Sequence, residues 1–424
     1  MRQKAKNYYK TQEKPNFNRG NVDQAFQEAD TVLEGIYEHP FQSHAMMEPL
    51  AAVAHYQGNK CEMWVGTQTV EMATKELANV TGLPVSACKV NVLPAGGAFG
   101  RRWNTDYVVE AGFISKKINA PVKLMWTRED NMKHGAYHPF QHGIYKAAIK
   151  DKKLTAWETK PIHVNHWNGA GTWEYDFIYQ TPNMRTRDAK MDYIVETGAW
   201  RSVGEHLHGF GRECLLDEVA EKLGKNPIDL RLELLDYEIK QGTGQNAKLI
   251  HNYAQTIQRR YINTLRKAKQ VTNWDKKLPK GKGIGIAVTN FSRTVCAQVA
   301  EVTVKNGELK VDKITCITDM GVVVNPHFVT GQMEGGILWA LSALKYGGLD
   351  IQKGEVVQDN FDTYRVVRKN EVPEIKVHLL ESQERPYGAG EPAVPPLAPA
   401  VINAIYAATG KRIRKMPVLP KDLA

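Results

Sequence analysis

Four glycine-bearing loops set the strongest limits on what this chain can become. They lie at Gly66-Thr67-Gln68, Ala95 to Arg102, Gly198 to Gly204 and Tyr387 to Pro392. Glycine adopts backbone conformations closed to other residues and lets a main chain approach its neighbours closely. Loops like these, set between regular elements, are where a folded chain presents its chemistry.

The segments around them change hydrophobic period repeatedly. Val22, Ala25, Phe26 and Ala29 are spaced for one helix face, and Thr31 to Tyr37 reads as a strand. Ala51 to Tyr56 and Cys61 to Val65 are expected to pair across Gln57-Gly58-Asn59. Thr69 to Asn79 is helical and stops at Gly82-Leu83-Pro84. Lys89 to Leu93 alternates as a strand and runs into the second loop, before a helix at Asp106 to Ile118 and a strand at Val122 to Thr127. Residues 143–164 and 191–197 read as strands, and Arg212 to Leu223, Pro227 to Leu235 and Asn252 to Ala268 as helices. After the linker-like Lys276 to Lys282, strands are expected at Gly285–Thr289, Cys296–Val304, Leu309–Ile317 and Glu374–Leu380. Helices are expected at Phe328–Leu344 and Ala400–Thr409. This predicts an α+β protein of two lobes with mixed sheets and helices. The expected divisions are a tail or linker at 1–20, a first domain at 21–275 and a second at 276–424, a partition that suits 424 residues.

Composition narrows the function. The net charge of +10 is scattered, with local basic runs at Arg2–Lys14, Arg266–Lys282 and Lys411–Lys415. No zinc-finger or RNA-binding signature accompanies it, so the charge reads as a solvated surface and nucleic acid is not expected as a partner. The five cysteines form no C-x-x-C, which argues against a disulfide scaffold, a zinc site or an iron–sulfur cluster held by this chain. No apolar run reaches the ~18–20 residues of a membrane span. The polar N-terminus has no secretory pattern.

Each loop carries a polar side chain with a chemical use. Gln68 can donate and accept hydrogen bonds. Gly96-Gly97-Ala98-Phe99-Gly100 can turn backbone N–H groups toward an anion, and Arg101 and Arg102 follow it. It is neither a dinucleotide fingerprint nor a P-loop. Arg201, within Gly198-Ala-Trp-Arg-Ser-Val-Gly204, suits a carboxylate, a phosphate or a developing oxyanion. Glu391, between Gly390 and Pro392, becomes a proton acceptor near neutrality if its surroundings are apolar and enclosed. Taken singly, each also reads as an ordinary turn.

The order of the four loops resembles the motif series of the molybdenum hydroxylases, the xanthine dehydrogenase and aldehyde oxidase superfamily. The resemblance covers the chain after about residue 20. Gly198-Ala-Trp-Arg-Ser-Val-Gly204, Gly100-Arg-Arg, Ser43-His-Ala-Met-Met-Glu-Pro49 and Gly410-Lys-Arg-Ile-Arg are most similar to isoquinoline 1-oxidoreductase beta subunits. It implies a molybdenum–pterin cofactor, in the mononucleotide or cytosine dinucleotide form, held without any side-chain ligand to the metal. Gln68 matches the glutamine that meets an oxygen ligand of molybdenum. Gly97, Ala98, Phe99 and Gly100 match the loop beside it, and Gln332 matches a pterin contact. Arg101 and Arg102 would meet the pyrophosphate of a dinucleotide form of the cofactor. Arg201 matches the arginine that orients substrate, and Glu391 the catalytic base. Glu48 matches a family motif but reads as structural.

The implied reaction hydroxylates an electron-poor carbon of an N-heterocycle or aldehyde, with water as the oxygen source. The alternative is a non-catalytic relic of the same fold. Two departures stand out: Ala98 replaces a customary glycine, and Val203 stands where purine-hydroxylating relatives carry an aromatic. A further pterin-contacting loop of the Met-Gly-Gln-Gly type is not found. The expected partners are therefore an N-terminal half or chain carrying it, a small subunit with the iron–sulfur clusters, and a small-molecule substrate. Localisation stays open, and a periplasmic site would require a twin-arginine signal elsewhere in the assembly.

Overall fold

The computed structural model describes residues 4, 5, 7, 15–164, 177–239 and 247–424, with 247–250 as backbone alone. In chain order the first part holds β1 (Phe17–Arg19), α1 (Val22–Gln27), β2 (Thr31–His39), β3 (Ala51–Tyr56), β4 (Cys61–Val65), α2 (Val70–Thr81), β5 (Cys88–Val92), α3 (Asp106–Ile118), β6 (Val122–Met125) and α4 (Arg128–Lys133). Next come β7 (Gln141–Lys150), β8 (Lys153–Val164), β9 (Asn183–Thr186), β10 (Ala189–Met191), α5 (Glu205–Leu223), α6 (Pro227–Leu234) and α7 (Ala247–Thr272). The last part holds β11 (Lys282–Phe291), β12 (Thr294–Lys305), β13 (Glu308–Asp319), α8 (Pro326–Lys345), the small hairpin β14 (Ile351–Gln352) and β15 (Glu355–Val356), β16 (Glu374–Leu379), α9 (Leu397–Thr409) and α10 (Pro420–Leu423).

Three larger sheets carry the architecture. One runs β1-β9-β8-β7-β2 with β10 also on β8, a second runs β5-β4-β3-β6, and a third β11-β12-β13-β16. In the second sheet α2 crosses over between the parallel strands β4 and β5. The glycine loop leaving β5 then leads into α3. In the third sheet β11, β12 and β13 form an antiparallel meander, and β16 joins β13 in parallel. The fold is α+β with mixed sheets, as the periodicity predicts. Among the described residues no helix is long and apolar enough to cross a membrane.

Several boundaries differ from the sequence expectation, each for a physical reason. The run at 143–164 is a hairpin, not one strand, because Asp151 and Lys152 both take positive φ (50° and 57°) and reverse the chain. Residues 191–197 are not a strand beyond Met191, where β10 ends, and Ile194 is exposed. Helix α5 starts at Glu205 rather than Arg212. Its first turns contain Gly209 and Gly211, which lower helix propensity, but burial of Leu207 and Phe210 overrides that. Gly211 is required there: a Cβ would stand 2.3 Å from the Tyr145 ring on β7. Phe17–Arg19 of the expected tail pairs with β9, and much of the rest of that tail lies outside the described residues. The expected linker ends one residue early, since Lys282 opens β11.

One apolar core spans both halves of the chain. It takes in Tyr37, Tyr145 and Trp157 from the first sheet, Leu215 and Val219 of α5, Val299 and Ile317 of the third sheet, and Val401 of α9. Helix α9 lies so close to β11 that a Cβ on Gly285 would meet the Ala404 nitrogen at 2.2 Å and the Ala400 carbonyl oxygen at 2.4 Å. Both obstacles are backbone, so neither can swing aside. The Gly285→Ala chain is expected to lose about 3 kcal/mol of stability, the upper part of the range for overpacking. A clearly lower urea midpoint would show it, and an unchanged midpoint would contradict the packing described.

Candidate active site

All four loops meet at one cavity of about 440 Å³. Its walls are Gln68 from the first loop, Phe99, Gly100 and Trp103 from and just after the second, Ala199 to Arg201 and Val203 from the third, and Gly390 and Glu391 from the fourth. Gln332, on the first turns of α8, completes it.

The loops are fastened to one another chiefly through main-chain atoms. The Gly100 N–H donates to Gln68 Oε1 at 3.2 Å. This fixes which way the amide faces and leaves its NH2 group free to donate elsewhere. Gly100 has φ 104°, and a Cβ on it would lie 1.9 Å from the Ala199 carbonyl oxygen, so only glycine lets loops two and three touch. Phe99, Ser202 and Val203 also hold positive φ, at 54°, 76° and 47°. Such strain persists only where the surroundings over-determine it, and it gathers at functional sites. Ala98 keeps a negative φ, so its methyl is tolerated without backbone strain. Among the described residues, nothing accepts from the N–H groups of Gly97, Ala98 and Phe99.

Arg201 is 7 % exposed. Its Nε donates to the Gly390 carbonyl at 2.6 Å, and one terminal nitrogen donates to Gln332 Oε1 at 3.0 Å and to the Gln332 carbonyl at 3.2 Å. Burial lowers this guanidinium to about 10, and the charge of Glu391 opposes the shift. Glu391 is half-buried, and its Oε1 accepts the Ser202 N–H at 2.8 Å. Just after it in the chain Ala393, Val394 and Leu397 are buried, but none of them lines the cavity. From β12, Gln298 donates to the Ala393 carbonyl at 2.7 Å and anchors the fourth loop to the sheet.

Not every expected residue reaches the cavity. Gly97 and Ala98 shape the second loop without lining the space. Arg101 turns inward: it is 1 % exposed, pairs with both oxygens of Asp106 and stacks on Trp126 at 5.3 Å. Its two terminal nitrogens are taken by Asp106 and its Nε is buried, and the residue does not line the cavity, so the structure does not present it for the expected pyrophosphate contact. Arg102 is equally buried and knits Gly66, Gly97, Pro49 and Glu48 together, so Glu48 is a structural anchor. Gln332 does line the cavity, but its carbonyl oxygen is spent on Arg201.

Some residues escaped the sequence reading. Trp339 on α8 lies against Phe99, with ring centroids 4.0 Å apart. Its spacing was that of any buried helix position. Behind Trp200 sit His39, His138 and His206, with centroids 4.6 to 5.4 Å apart. Burial lowers His39 to about 3 and holds His206 well below the usual imidazole range. No three-residue cluster of His, Cys, Asp or Glu among the described residues is arranged to hold a metal.

Two predictions follow from this geometry. Gly100→Ala is expected to open the contact between loops two and three and lose the cavity's shape with only modest loss of helix content, which crystallography and circular dichroism would show together. His39 and His206 are depressed in the folded state, so their contribution to stability is complete above the unfolded pKa of about 6.5 and drains as pH falls below it. Each is expected to cost up to about 1.4 kcal/mol per pH unit below 6.5. A urea midpoint flat between pH 7 and 5 would contradict their neutral burial.

Comparison with known proteins places this geometry. The family described as Molybdopterin cofactor-binding domain matches residues 2–235, and a second family of the same description matches residues 212–373. The chain is 32% identical to a membrane-bound aldehyde dehydrogenase [pyrroloquinoline-quinone] of Gluconacetobacter polyoxogenes, over 96% of this chain and 56% of that protein. It is 28% identical to isoquinoline 1-oxidoreductase subunit beta of Brevundimonas diminuta, over 94% of this chain and 52% of that one. It thus spans about half the length of these curated relatives. Among solved structures, quinoline 2-oxidoreductase from Pseudomonas putida 86 superposes with a TM-score of 0.79 at 16% identity, covering 95% of this chain and 77% of that one. Aldehyde oxidoreductase from Desulfovibrio gigas gives 0.77 at 18%, covering 96% and 62%. These matches show that the chain belongs to the molybdopterin cofactor-binding domain family of the molybdenum hydroxylases.

Proposed function

We propose that this chain is the catalytic portion of a molybdenum hydroxylase acting on an N-heterocycle or an aldehyde. The observation that carries the reading is the meeting of one carboxylate, one buried guanidinium and one oriented amide at a single cavity, beside a loop with unused N–H groups.

The residues fit the cofactor of the family. Uncommitted N–H groups at Gly97 to Phe99 form a concavity suited to an electronegative oxygen. The Gln68 NH2 adds a second donor, and Gln332, which lines the same cavity, would help hold the pterin. When bound, the molybdenum–pterin group supplies the two-electron acceptor and activates water. The protein does the rest. Glu391 Oε2, with Oε1 pinned by Ser202, takes the proton that the attacking water loses. Arg201 stabilises negative charge developing on the substrate's heteroatom, at a place where burial strengthens electrostatics. Phe99, Trp103 and Trp200 line the place of that exchange with aromatic surface. Overall R–H and H2O become R–OH, two protons and two electrons, and the electrons leave through an iron–sulfur partner subunit.

The quinone in one relative's name belongs to that relative. The relatives extend well beyond this chain, and we infer that the remainder supplies further cofactor contacts. On its own the chain is expected to bind the cofactor poorly, whereas co-production with the complementary polypeptide and the iron–sulfur subunit restores it. Metal analysis and pterin fluorescence after acid oxidation measure this. In the assembled enzyme Glu391→Gln is expected to cut turnover by about 10²–10⁴-fold, the usual share of a general base, with molybdenum content unchanged. An assembly lacking both molybdenum and pterin would overturn the reading.

A further inference from the structure

Two side chains of β12 grip the loop that carries Glu391. Thr294 Oγ1 donates to the Gly388 carbonyl at 2.7 Å, and Gln298 Nε2 donates to the Ala393 carbonyl at 2.7 Å. The first grip falls three residues before Glu391 and the second two residues after it. Thr294 and Gln298 are four positions apart on one strand, so both point to the same face, roughly 13 Å apart along it. The strand therefore brackets the loop on either side of the carboxylate.

Neither side chain is needed by the sheet. β12 is paired on both sides, to β11 and to β13, so its main chain is already satisfied. Both residues are completely buried, and Val295, Cys296, Ala297, Val299 and Ala300 around them are buried and apolar. Gln298 even leaves its Oε1 buried without a partner among the described residues. An unpaired buried acceptor costs stability, and a methionine of similar length would avoid that cost. What the position contributes is the donor aimed at the loop. Neither residue lines the cavity, so neither meets a substrate there.

We infer that Thr294 and Gln298 are positioning residues for Glu391. The inference deepens the proposed function and rests on Glu391 being its base. A general base works only within hydrogen-bond reach of the proton it takes. The Ser202 N–H holds one oxygen of the carboxylate, and Arg201 Nε holds the Gly390 carbonyl just before it. Those two contacts come from the third loop, which is itself a loop. Thr294 and Gln298 add two contacts from a strand at the centre of a sheet. They fix the main chain on both flanks, so the carboxylate stands at one place on the cavity wall.

Thr294→Val and Gln298→Met each delete one donor and keep the bulk of the side chain. In the assembled, molybdenum-loaded enzyme each is expected to lower kcat about 10-fold, within the ~10²-fold that a 1 Å misplacement can cost, with KM and molybdenum content unchanged. Thr294→Ser keeps the hydroxyl and is expected to restore kcat. Thr318→Val is the matched control, because the Thr318 hydroxyl donates to the Val295 carbonyl inside the same sheet at 3.1 Å. It is expected to lower the melting temperature as much as Thr294→Val does and to leave kcat unchanged. Placed on Glu391→Gln, neither Thr294→Val nor Gln298→Met is expected to reduce turnover further, since the group they position is gone. In the full chain without cofactor, hydrogen exchange at the Ser202 amide is expected to quicken about 5-fold in both variants, the weight of one neutral hydrogen bond. Unchanged Ser202 exchange would overturn the inference. So would wild-type kcat in both variants, or losses that add in full to that of Glu391→Gln. A molybdenum-loaded wild-type assembly with no turnover would instead count against the hydroxylase reading, and the exchange measurement would still decide the positioning role.

Discussion

The buried guanidinium of Arg201 ties the site together. It reaches the Gly390 carbonyl on one side and Gln332 on the other, joining the third loop to the fourth and to the start of α8. A charge removed from water is costly unless its donors are satisfied. Those acceptors are supplied only when the three segments stand in their observed places, so the arginine rewards one arrangement of the loops. Glu391 depends on the same arrangement, since the N–H that holds it belongs to Ser202, the next residue along.

Beneath the loops, the two halves of the chain share one core. Helix α5 presses on β7 through Gly211, and α9 presses on β11 through Gly283 and Gly285. Within this core Arg231 and Glu213 form a fully buried pair, and Tyr179 and the Val288 N–H also donate to Glu213. Removing one member of such a pair is far more damaging than its net worth suggests. The site therefore sits on a continuous packed body, with its loops anchored at both ends.

Much of this was legible from sequence, and the limits are physical. Strands with a clean alternation, such as Cys61–Val65, and helices with strong stops, such as the one before Gly82, declare themselves locally. The glycines of the four loops declared the site, because close approach demands them. The burial of Arg101 and Arg102 was not legible. Two adjacent arginines after a glycine loop look the same whether they face a phosphate or an internal carboxylate, and only the positions of Asp106 and Glu48 decide. The start of α5 was hidden because its glycines serve tertiary contact rather than local propensity. Trp339 was hidden because a helix face does not reveal which partner it will meet.

Phe99 takes a left-handed backbone conformation and packs on Trp339 with the ring planes tilted by 30°, so its ring has little freedom to pivot. Standing between the cavity and an apolar space of about 240 Å³ lined by Trp339 and Val366, it limits the volume on both sides. A smaller residue there would merge two modest rooms into one large one, and a bulkier residue would squeeze both. Adaptation to a new molecule would therefore have to come from the outer walls, where Val203 on one side and Val366 on the other can change size independently.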